Sequence, residues 1–305
     1  LFLYSNAPCV IIGRNQNVWR ECRVEEIRRR GIALCRRMSG GGAVYQDLGN
    51  VCFSLLLPVA AEVTPMDRRG EGFALVVEAL RRLGVSAEVA GRNDVVVNGL
   101  KVSGSAFRFE LGNARQQRRL LHHGTVLVNT DFAVLEQLLS PNVHKLRAKG
   151  IESVRARVAN LAEVKPGLTP ADVLRAIGEA FGPAPHPVEE QAMRLTPGFA
   201  EELHRLTRPA FVFNENSQFS NVFEGRLSFG TVEAQLEVEQ GRVQACRLFS
   251  DALSPEMIDR FAEVLNRERP AYSPEGFAGL NAESLPADEQ TAFKEFTAWL
   301  TQSIE

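Results

Sequence analysis

Asn98-Gly99 separates two short apolar segments in the stretch Val95-Val96-Val97-Asn98-Gly99-Leu100-Lys101-Val102-Ser103. A two-residue hairpin turn needs positive φ at both central residues, and Asn-Gly meets this need better than most pairs. The stretch therefore predicts an antiparallel hairpin that pairs Val95–Val97 with Lys101–Ser103. Lys101 is a cation among small and apolar residues. It can contact a phosphate and a carboxylate together, or it can protect an edge strand from aggregation.

Short apolar strands alternate with amphipathic helices on both sides of this hairpin. Pro8–Ile12 and Val51–Leu57 have the apolar character of strands, and the spacing predicts a polar helix over Val18–Arg30. Thr169-Pro170 predicts the start of a helix that continues to Phe181, because Thr caps a helix and Pro fits its first turn. These elements favour an α+β fold, with a large mixed or antiparallel sheet flanked by helices.

The chain after about residue 217 has the pattern of a separate small α+β domain. Val232, Ala234, Leu236 and Val238 alternate with polar residues, as in a half-exposed antiparallel strand. Gln240-Gly241 predicts a turn into a partner strand, and two helices are predicted to follow. A chain of 305 residues is long for one core. We therefore predict two domains, residues 1–212 and residues 218–305.

The composition excludes several classes of partner. The chain has 35 Lys and Arg residues against 37 Asp and Glu, a net charge of −2. This balance gives no general attraction to nucleic acid or to membranes, and no apolar stretch approaches the ~18 residues of a membrane span. The five scattered cysteines indicate a reducing compartment, and a cytoplasmic monomer is expected. The chain begins at Leu1 without Met, and Leu1–Tyr4 already has the pattern of a strand, so an N-terminal piece is expected to be missing.

Three consecutive glycines follow two arginines in the stretch Arg36-Arg37-Met38-Ser39-Gly40-Gly41-Gly42-Ala43-Val44-Tyr45. Glycine is costly in folding entropy, and a turn between strands does not need three. Without side chains, the backbone N–H groups can converge on an anion, and Arg37 adds a forked donor for phosphate. The residues alone fit a flexible hairpin loop equally well.

Two adjacent histidines and a basic run complete the candidates. His122 and His123 stand in a predicted strand, where neighbours face opposite sides. One of them is expected near the site and the other near solvent. The basic run contains Lys145, Arg147, Lys149, Arg155 and Arg157. Such a run is usually a solvated face, but it can also gather phosphates or an acidic partner.

Six stretches, taken together and in order, resemble the lipoate–protein ligase family. Residues 13–22 are similar to its GRxQNxWxEC stretch, and residues 36–50 to its RRxSGGGAVFHDLGN box. Residues 91–94, 101–106, 122–125 and 149–161 follow in the family's order and approximate spacing. The similarity extends over most of the chain, and implies a biotin/lipoate ligase-like fold. The family usually has a strand and a helix ahead of the position of Leu1, so the resemblance implies that these two elements are missing here.

The resemblance implies an enzyme with two half-reactions. Lipoate and ATP with Mg²⁺ would form lipoyl-adenylate, and the lysine of an apo-lipoyl domain would then attack its carbonyl group. The acceptors would be E2 subunits of 2-oxoacid dehydrogenases and the glycine cleavage H protein. We expect Mg²⁺ to be held mostly by phosphate oxygens and water, so no protein ligand is assigned to it.

The resemblance also implies roles for individual residues. Lys101 would be catalytic and would contact both the lipoyl carbonyl and the α-phosphate. Nucleotide binding would fall to Arg37 and the backbone of Gly42, Ala43, Val44 and Tyr45. Lipoate would contact Gly41, Val44 and His123 in addition to Lys101. The secondary candidates are Ser39, Gly40, Asn50, Asp94 and Ser103.

Three alternatives accompany this interpretation. A lipoyltransferase that accepts preformed lipoyl-AMP would keep every motif. An octanoyltransferase of the same fold would need a cysteine nucleophile, and neither Cys22 nor Cys35 is an evident one. A non-catalytic lipoate- or adenylate-binding protein would tolerate loss of Lys101. Gln46 departs from the family box, which often has His there, so no proton transfer is assigned to this position.

Overall fold

The computed structural model describes residues 1–60, 62–110, 117–140, 157–182, 186–213, 221–239 and 241–304. Its contacts divide the chain into two compact units. The first unit comprises Leu1–Ile12, Val18–Arg37 and Ala43–Val212, and the second comprises Gly13–Asn17, Met38–Gly42 and Phe213–Glu305. The sequence-based division into residues 1–212 and 218–305 stays a prediction.

The helices and strands of the first unit follow one another in chain order as listed next. They are β1 (Phe2–Tyr4), β2 (Cys9–Ile12), α1 (Val18–Glu21), α2 (Val24–Arg29), β3 (Ala33–Arg36), β4 (Val44–Gln46), β5 (Asn50–Pro58), a 3₁₀ turn (Pro65–Arg68), α3 (Arg69–Arg82), β6 (Glu88–Ala90), β7 (Asp94–Val97), β8 (Leu100–Glu110), β9 (Arg119–Leu127), α4 (Phe132–Leu138), α5 (Leu161–Val164), α6 (Pro170–Phe181), α7 (Glu190–Arg194), α8 (Phe199–Thr207) and α9 (Pro209–Phe213, whose last residue groups with the second unit).

The main sheet of the first unit has six strands in the order β1-β5-β9-β8-β7-β6. All of its neighbouring strands pair antiparallel. A smaller sheet, β3-β2-β4, is mixed, because β2 pairs parallel with β3 and antiparallel with β4. The predicted α+β class with a mixed or antiparallel sheet flanked by helices is confirmed.

One face of the main sheet carries an aromatic core under α3. Successive strand residues point to opposite faces, and Phe53, Phe107 and His122 share the face that meets Phe73 of α3. Phe53 and His122 are fully buried. The opposite face of the same strands carries Gly104 and His123, so the sheet separates its core from the face that holds the candidate site.

The predicted helix over Val18–Arg30 is wrong in one respect, because the structure has two helices there, α1 and α2. The chain leaves the helix at Cys22, which forms an isolated bridge with Leu139. The N–H of Arg23 donates to the carbonyl of Leu138 at 2.8 Å. These bonds satisfy backbone groups that a continuous helix would have paired internally.

The second unit is an α+β structure with its own core. Its strands are β10 (Asn221–Leu227), β11 (Gly230–Glu239) and β12 (Arg242–Ser250), and its helices are α10 (Pro255–Glu268), α11 (Pro274–Ala278) and α12 (Ala287–Ser303). The strands form an antiparallel sheet, and the rings of Phe261, Phe293 and Phe296 pack on one another. Neither β10 nor α11 was predicted from the sequence.

Within the part of the chain described above, no helix combines the length and the apolar character needed to cross a membrane.

Candidate active site

A β-bulge decides which face of the main sheet carries Lys101. The turn at Asn98-Gly99 has φ values of 52° and 78°, as predicted for this hairpin. Val96 pairs with Lys101, whereas Val95 pairs with Ser103, so the register shifts by one residue between them. A regular ladder would put Lys101 on the face of Ser103. The extra residue moves Lys101 to the face of Asp94 and Gly104 instead.

Gly104 leaves room for the side chain of Lys101. A Cβ atom on Gly104 would lie 2.5 Å from Lys101 Nζ, so any larger residue would displace the amine. The amine instead lies 2.8 Å from Oδ1 of Asp94, a buried carboxylate at the start of β7. The other oxygen of Asp94 accepts a hydrogen bond from the guanidinium of Arg157. One carboxylate therefore lies between two cations.

The two adjacent arginines have different environments. Arg36 is buried and donates to the carbonyls of Phe211 and Val212, at 2.8 Å to each from different nitrogens. Arg37 is half-buried and donates to the carbonyl of Ile11 at 3.1 Å. Burial, and then the charge of Arg36, lower the pKa of Arg37 to about 10, so it still carries its charge at neutral pH.

His123 lies close enough to Arg37 for their charges to interact. Burial lowers the pKa of His123 well below its ordinary value, and the charges of Arg37 and His122 lower it further. His123 is therefore a neutral imidazole at physiological pH, able to donate and accept hydrogen bonds. The prediction that the other histidine lies near solvent is wrong. His122 is 0% exposed, and neither of its ring nitrogens has a partner among the described residues.

The turn from Asp47 to Asn50 is built as structure. One carboxylate oxygen of Asp47 accepts from the N–H of Gly49 at 2.9 Å and from the amide of Asn50 at 3.0 Å. Asn50 is fully buried. Tyr45 is also buried, and burial followed by the charges of Asp47 and Asp131 raises its pKa to about 12. These contacts explain Tyr45 and Asn50 without a ligand.

The glycines of the loop have partners within the second unit. A Cβ atom on Gly40 would lie 2.1 Å from the carbonyl oxygen of Ala252. Gly41 has φ of 88°, and its N–H donates to the same carbonyl at 3.0 Å. The carbonyl of buried Ser39 accepts from the N–H of Arg14 at 2.9 Å. The prediction that these N–H groups converge on an anion therefore does not hold for Gly41 in this structure.

Several predicted site residues share one face of the main sheet. Lys101 and Asp94 are in contact, and Arg37 and His123 interact electrostatically. Val44 is half-buried in β4, opposite Ile11. Ser103 does not join this group, because it points with Phe107 to the α3 face. Its hydroxyl is buried without a hydrogen-bond partner among the described residues.

The structure adds two arginines, Arg108 and Arg157, to the predicted set of site residues. Arg108 lies two and four residues beyond Ala106 and Gly104, on the face of His123, and its Nε is 3.6 Å from a Glu110 oxygen. The sequence signal that could have identified Arg108 is a cation at alternate spacing in a strand of mostly small and apolar residues. Arg157 belonged to the predicted basic run. The other members, Lys145, Arg147, Lys149 and Arg155, lie outside the described residues.

The donor set does not suggest a resident metal. Among the described residues, no group of three or more His, Cys, Asp and Glu side chains could hold a metal ion. Both oxygens of Asp94 face cations. Ligands for a divalent ion near Lys101 would therefore come mainly from phosphate and water.

These features bring several cationic side chains to one face of an antiparallel sheet, an arrangement that suits anionic ligands. Residues 1–182 match the family of the lipoyl protein ligase A/B catalytic domain, and residues 216–273 match the bacterial lipoate protein ligase C-terminus. The chain belongs to the lipoyl protein ligase A/B family. This membership confirms the resemblance described above and, at the level of the family, the assignment to lipoate ligation.

Solved structures agree with this membership. The chain is similar to Plasmodium falciparum LipL1 in complex with lipoate, with 28% identity and a TM-score of 0.82 over 99% of this chain and 86% of that chain. A bi-partite lipoate protein ligase from Thermoplasma acidophilum is 26% identical, with a TM-score of 0.58 over 72% and 85% of the two chains. Lipoate-protein ligase A bound with ATP, at 24% identity and a TM-score of 0.55 over 69% and 84%, shares the fold.

Proposed function

We propose that this protein is a lipoate–protein ligase that first joins lipoate to ATP and then transfers the lipoyl group to a protein lysine. In the first half-reaction, a lipoate carboxylate oxygen attacks the α-phosphorus of ATP and pyrophosphate leaves. In the second, the acceptor amine attacks the lipoyl carbonyl, AMP leaves, and an amide bond and a proton are formed. Both steps bring anions together, or build negative charge, at one place.

The placement of Lys101 is the observation that carries this proposal. Its amine lies on the sheet face of Arg108 and His123, and it is set there by a bulge and by Gly104. Arg37 lies close enough to His123 for their charges to interact. Fixed cations stabilise developing charge without reorganising during the reaction. An edge strand protected against aggregation would not need a buried carboxylate partner. The alternative role of Lys101 as a gatekeeper is therefore less well supported.

The other residues have graded roles in the proposal. Arg37, with the backbone of Gly42, Ala43, Val44 and Tyr45, binds the nucleotide, and Val44 and His123 contact lipoate. Arg108 is a further cation for either anion. Gly41 provides space for lipoate because it has no side chain. Its N–H is not assigned to the ligand, because it donates to the carbonyl of Ala252. Asp94 positions Lys101, whereas Asn50, Ser103, Ser39 and Gly40 support the surrounding backbone.

The proposed ligands are lipoate, ATP and Mg²⁺, with the metal held by the triphosphate. The proposed acceptor is an apo-lipoyl domain, such as an E2 subunit or an H protein. The Thermoplasma acidophilum structure is described with its E2 lipoyl domain, which supports this class of partner. A cytoplasmic monomer stays part of the proposal.

The decisive experiment incubates the full chain with an apo-lipoyl domain and follows the acceptor mass. Lipoate with MgATP should add one lipoyl group at one lysine, and synthetic lipoyl-AMP should replace both. A parallel reaction with Lys101→Ala should show neither product. Activity with lipoyl-AMP alone would contradict the ligase and support a transferase. If neither donor works while both bind, a binding protein would be the better explanation.

A further inference from the structure

Asp94 has a charge environment that the catalytic role of Lys101 does not explain. Its carboxylate is 8% exposed and has Lys101 at one oxygen and Arg157 at the other. The group of three carries a net charge of +1. A carboxylate next to a reaction between anions is unfavourable by itself, because it repels them and neutralises the lysine that should attract them. Arg157 offsets this effect.

Arg157 is held in place by the backbone that follows it. Val158 forms a parallel bridge with Lys101, and the N–H of Ala159 donates to the carbonyl of Lys101 at 3.0 Å. Asn160 then makes two hydrogen bonds with the backbone of Thr130, at 2.8 and 2.9 Å. The position of Arg157 is therefore tied to the strand of Lys101, unlike that of a surface ion pair.

Two cations, Lys101 and Arg157, share one carboxylate. When the amine of Lys101 moves onto a substrate oxygen, Asp94 loses one of these two cations. With Arg157 present, the buried carboxylate keeps an ion pair. Without it, the same movement would take both of these cations from a buried carboxylate, which is unfavourable. Loss of Arg157 would therefore hold Lys101 on Asp94.

We propose that Arg157 is a positioning residue that keeps Lys101 available to substrate by holding Asp94. This inference rests on the proposed function, since it is the ligation reaction that requires the amine of Lys101. Arg157 acts through Asp94 and needs no contact with substrate.

The test uses the full chain and four variants: Arg157→Ala, Arg157→Lys, Asp94→Asn and the double variant Arg157→Ala/Asp94→Asn. Arg175→Ala is the matched control, because it also removes an arginine from an aspartate, Asp172, on the exposed surface of α6. Two quantities are measured on each protein. One is the steady-state rate of transfer from lipoyl-AMP to an apo-lipoyl domain. The other is the acylation rate of Lys101 by dilute acetic anhydride without substrate, followed by mass spectrometry from pH 7 to 10.

We expect Arg157→Ala to lower kcat about tenfold with a smaller change in KM, and to slow acylation of Lys101 about threefold at a fixed pH. Arg157→Lys should recover most of the rate, because it restores a charge. Asp94→Asn should suppress the defect of Arg157→Ala, since a neutral amide no longer retains Lys101. Arg175→Ala should behave as the unmodified protein.

Two results would overturn the inference. In a purely structural role, loss of Arg157 would loosen the site, so Lys101 would acylate as fast as before or faster. The losses in kcat would then also add in the double variant. If the unmodified protein ligates nothing from either donor, the proposed function fails, and the acylation rates alone decide whether Arg157 controls Lys101.

Discussion

The glycine loop Ser39–Gly42 and the hairpin that carries Lys101 differ in what holds their backbones. In the hairpin, a predicted turn, a bulge and Gly104 all serve to aim one side chain at a carboxylate. In the loop, Gly40 and Gly41 serve a close approach to the carbonyl of Ala252. Sequence marks both stretches for ligand binding with similar strength. The difference shows that a glycine in the sequence indicates a close approach to the backbone. It does not indicate whether the approaching group is a ligand, a side chain or another segment of backbone.

Replacing Lys101 by Ala should have the largest effect. Loss of one preorganised charge at a reacting centre lowers kcat by about 10²–10³-fold. The free energy of unfolding should change by less than about 1 kcal/mol, since Asp94 keeps Arg157 as its partner. Steady-state transfer and chemical denaturation measure the two quantities. Lys165→Ala, which removes an exposed lysine bonded to Leu83, is the control. Substantial residual turnover in Lys101→Ala would contradict the catalytic role proposed for this residue.

His122 is buried in β9, the strand that pairs with the strand of Lys101. It should make the free energy of unfolding sensitive to acid. Burial, and then the charge of Arg69, lower the pKa of His122 to about 4, from 6.5 in the unfolded chain. The folded state therefore binds fewer protons between these values, so stability falls as pH falls from about 6.5 to 4. The full shift corresponds to at most about 3 kcal/mol.

His122→Leu should flatten this dependence, as measured by urea denaturation between pH 4 and pH 7.5. His204→Ala, which changes an exposed histidine, should leave the slope in place. An unchanged slope in His122→Leu would assign the acid sensitivity to other groups.

On the loop side, Gly40→Ala should lower the free energy of unfolding by about 1–3 kcal/mol, because the new methyl group would press on the carbonyl of Ala252. Gly70→Ala, at a helical site with open space, should be neutral or slightly stabilising. Thermal and urea denaturation give both values. If Gly40→Ala leaves the stability unchanged and weakens lipoyl-AMP binding, the glycines of the loop serve ligand binding. The contrast drawn here between the loop and the hairpin would then be wrong.

Asn98→Ala should have the smallest effect, a loss of about 1 kcal/mol, because alanine is disfavoured at a φ of 52°. Asn98→Gly should be close to neutral at the same position. If both variants unfold at the same urea concentration as the original, the turn does not hold the strand of Lys101 in register.

Local chemistry made much of the first unit predictable. The Asn-Gly turn and the helix opened by Thr169-Pro170 stand where predicted, and that helix has a complete capping box with Asp172. The break at Cys22 was not predictable, since its cause is pairing with residues near 139. Hydrogen-bond partners more than a hundred residues away leave no local signal.

The candidate site also combines features that the local sequence predicts with features that depend on distant parts of the chain. Lys101, Arg37 and His123 were predicted from residue type and motif. The structure puts Lys101 and His123 on one face of the main sheet, and Arg37 lies close enough to His123 for their charges to interact. The bulge, and with it the face of Lys101, depends on pairing between strands and could not be predicted from alternation alone. Regular alternation would have joined Lys101 with Ser103, which in fact faces the aromatic core.

The bulge in the hairpin has a consequence for changes of chain length. Inserting one residue between Val95 and Val96 would give the extra residue, Val102, a partner and could restore an unbroken ladder of pairs. Lys101 and Ser103 would then share one face, so the lysine would point toward the phenylalanines under α3 and lose its contact with Asp94, although every motif residue would be kept. Deleting Val102 would also remove the bulge, but it would leave Lys101 opposite Val96, on the face that it occupies now.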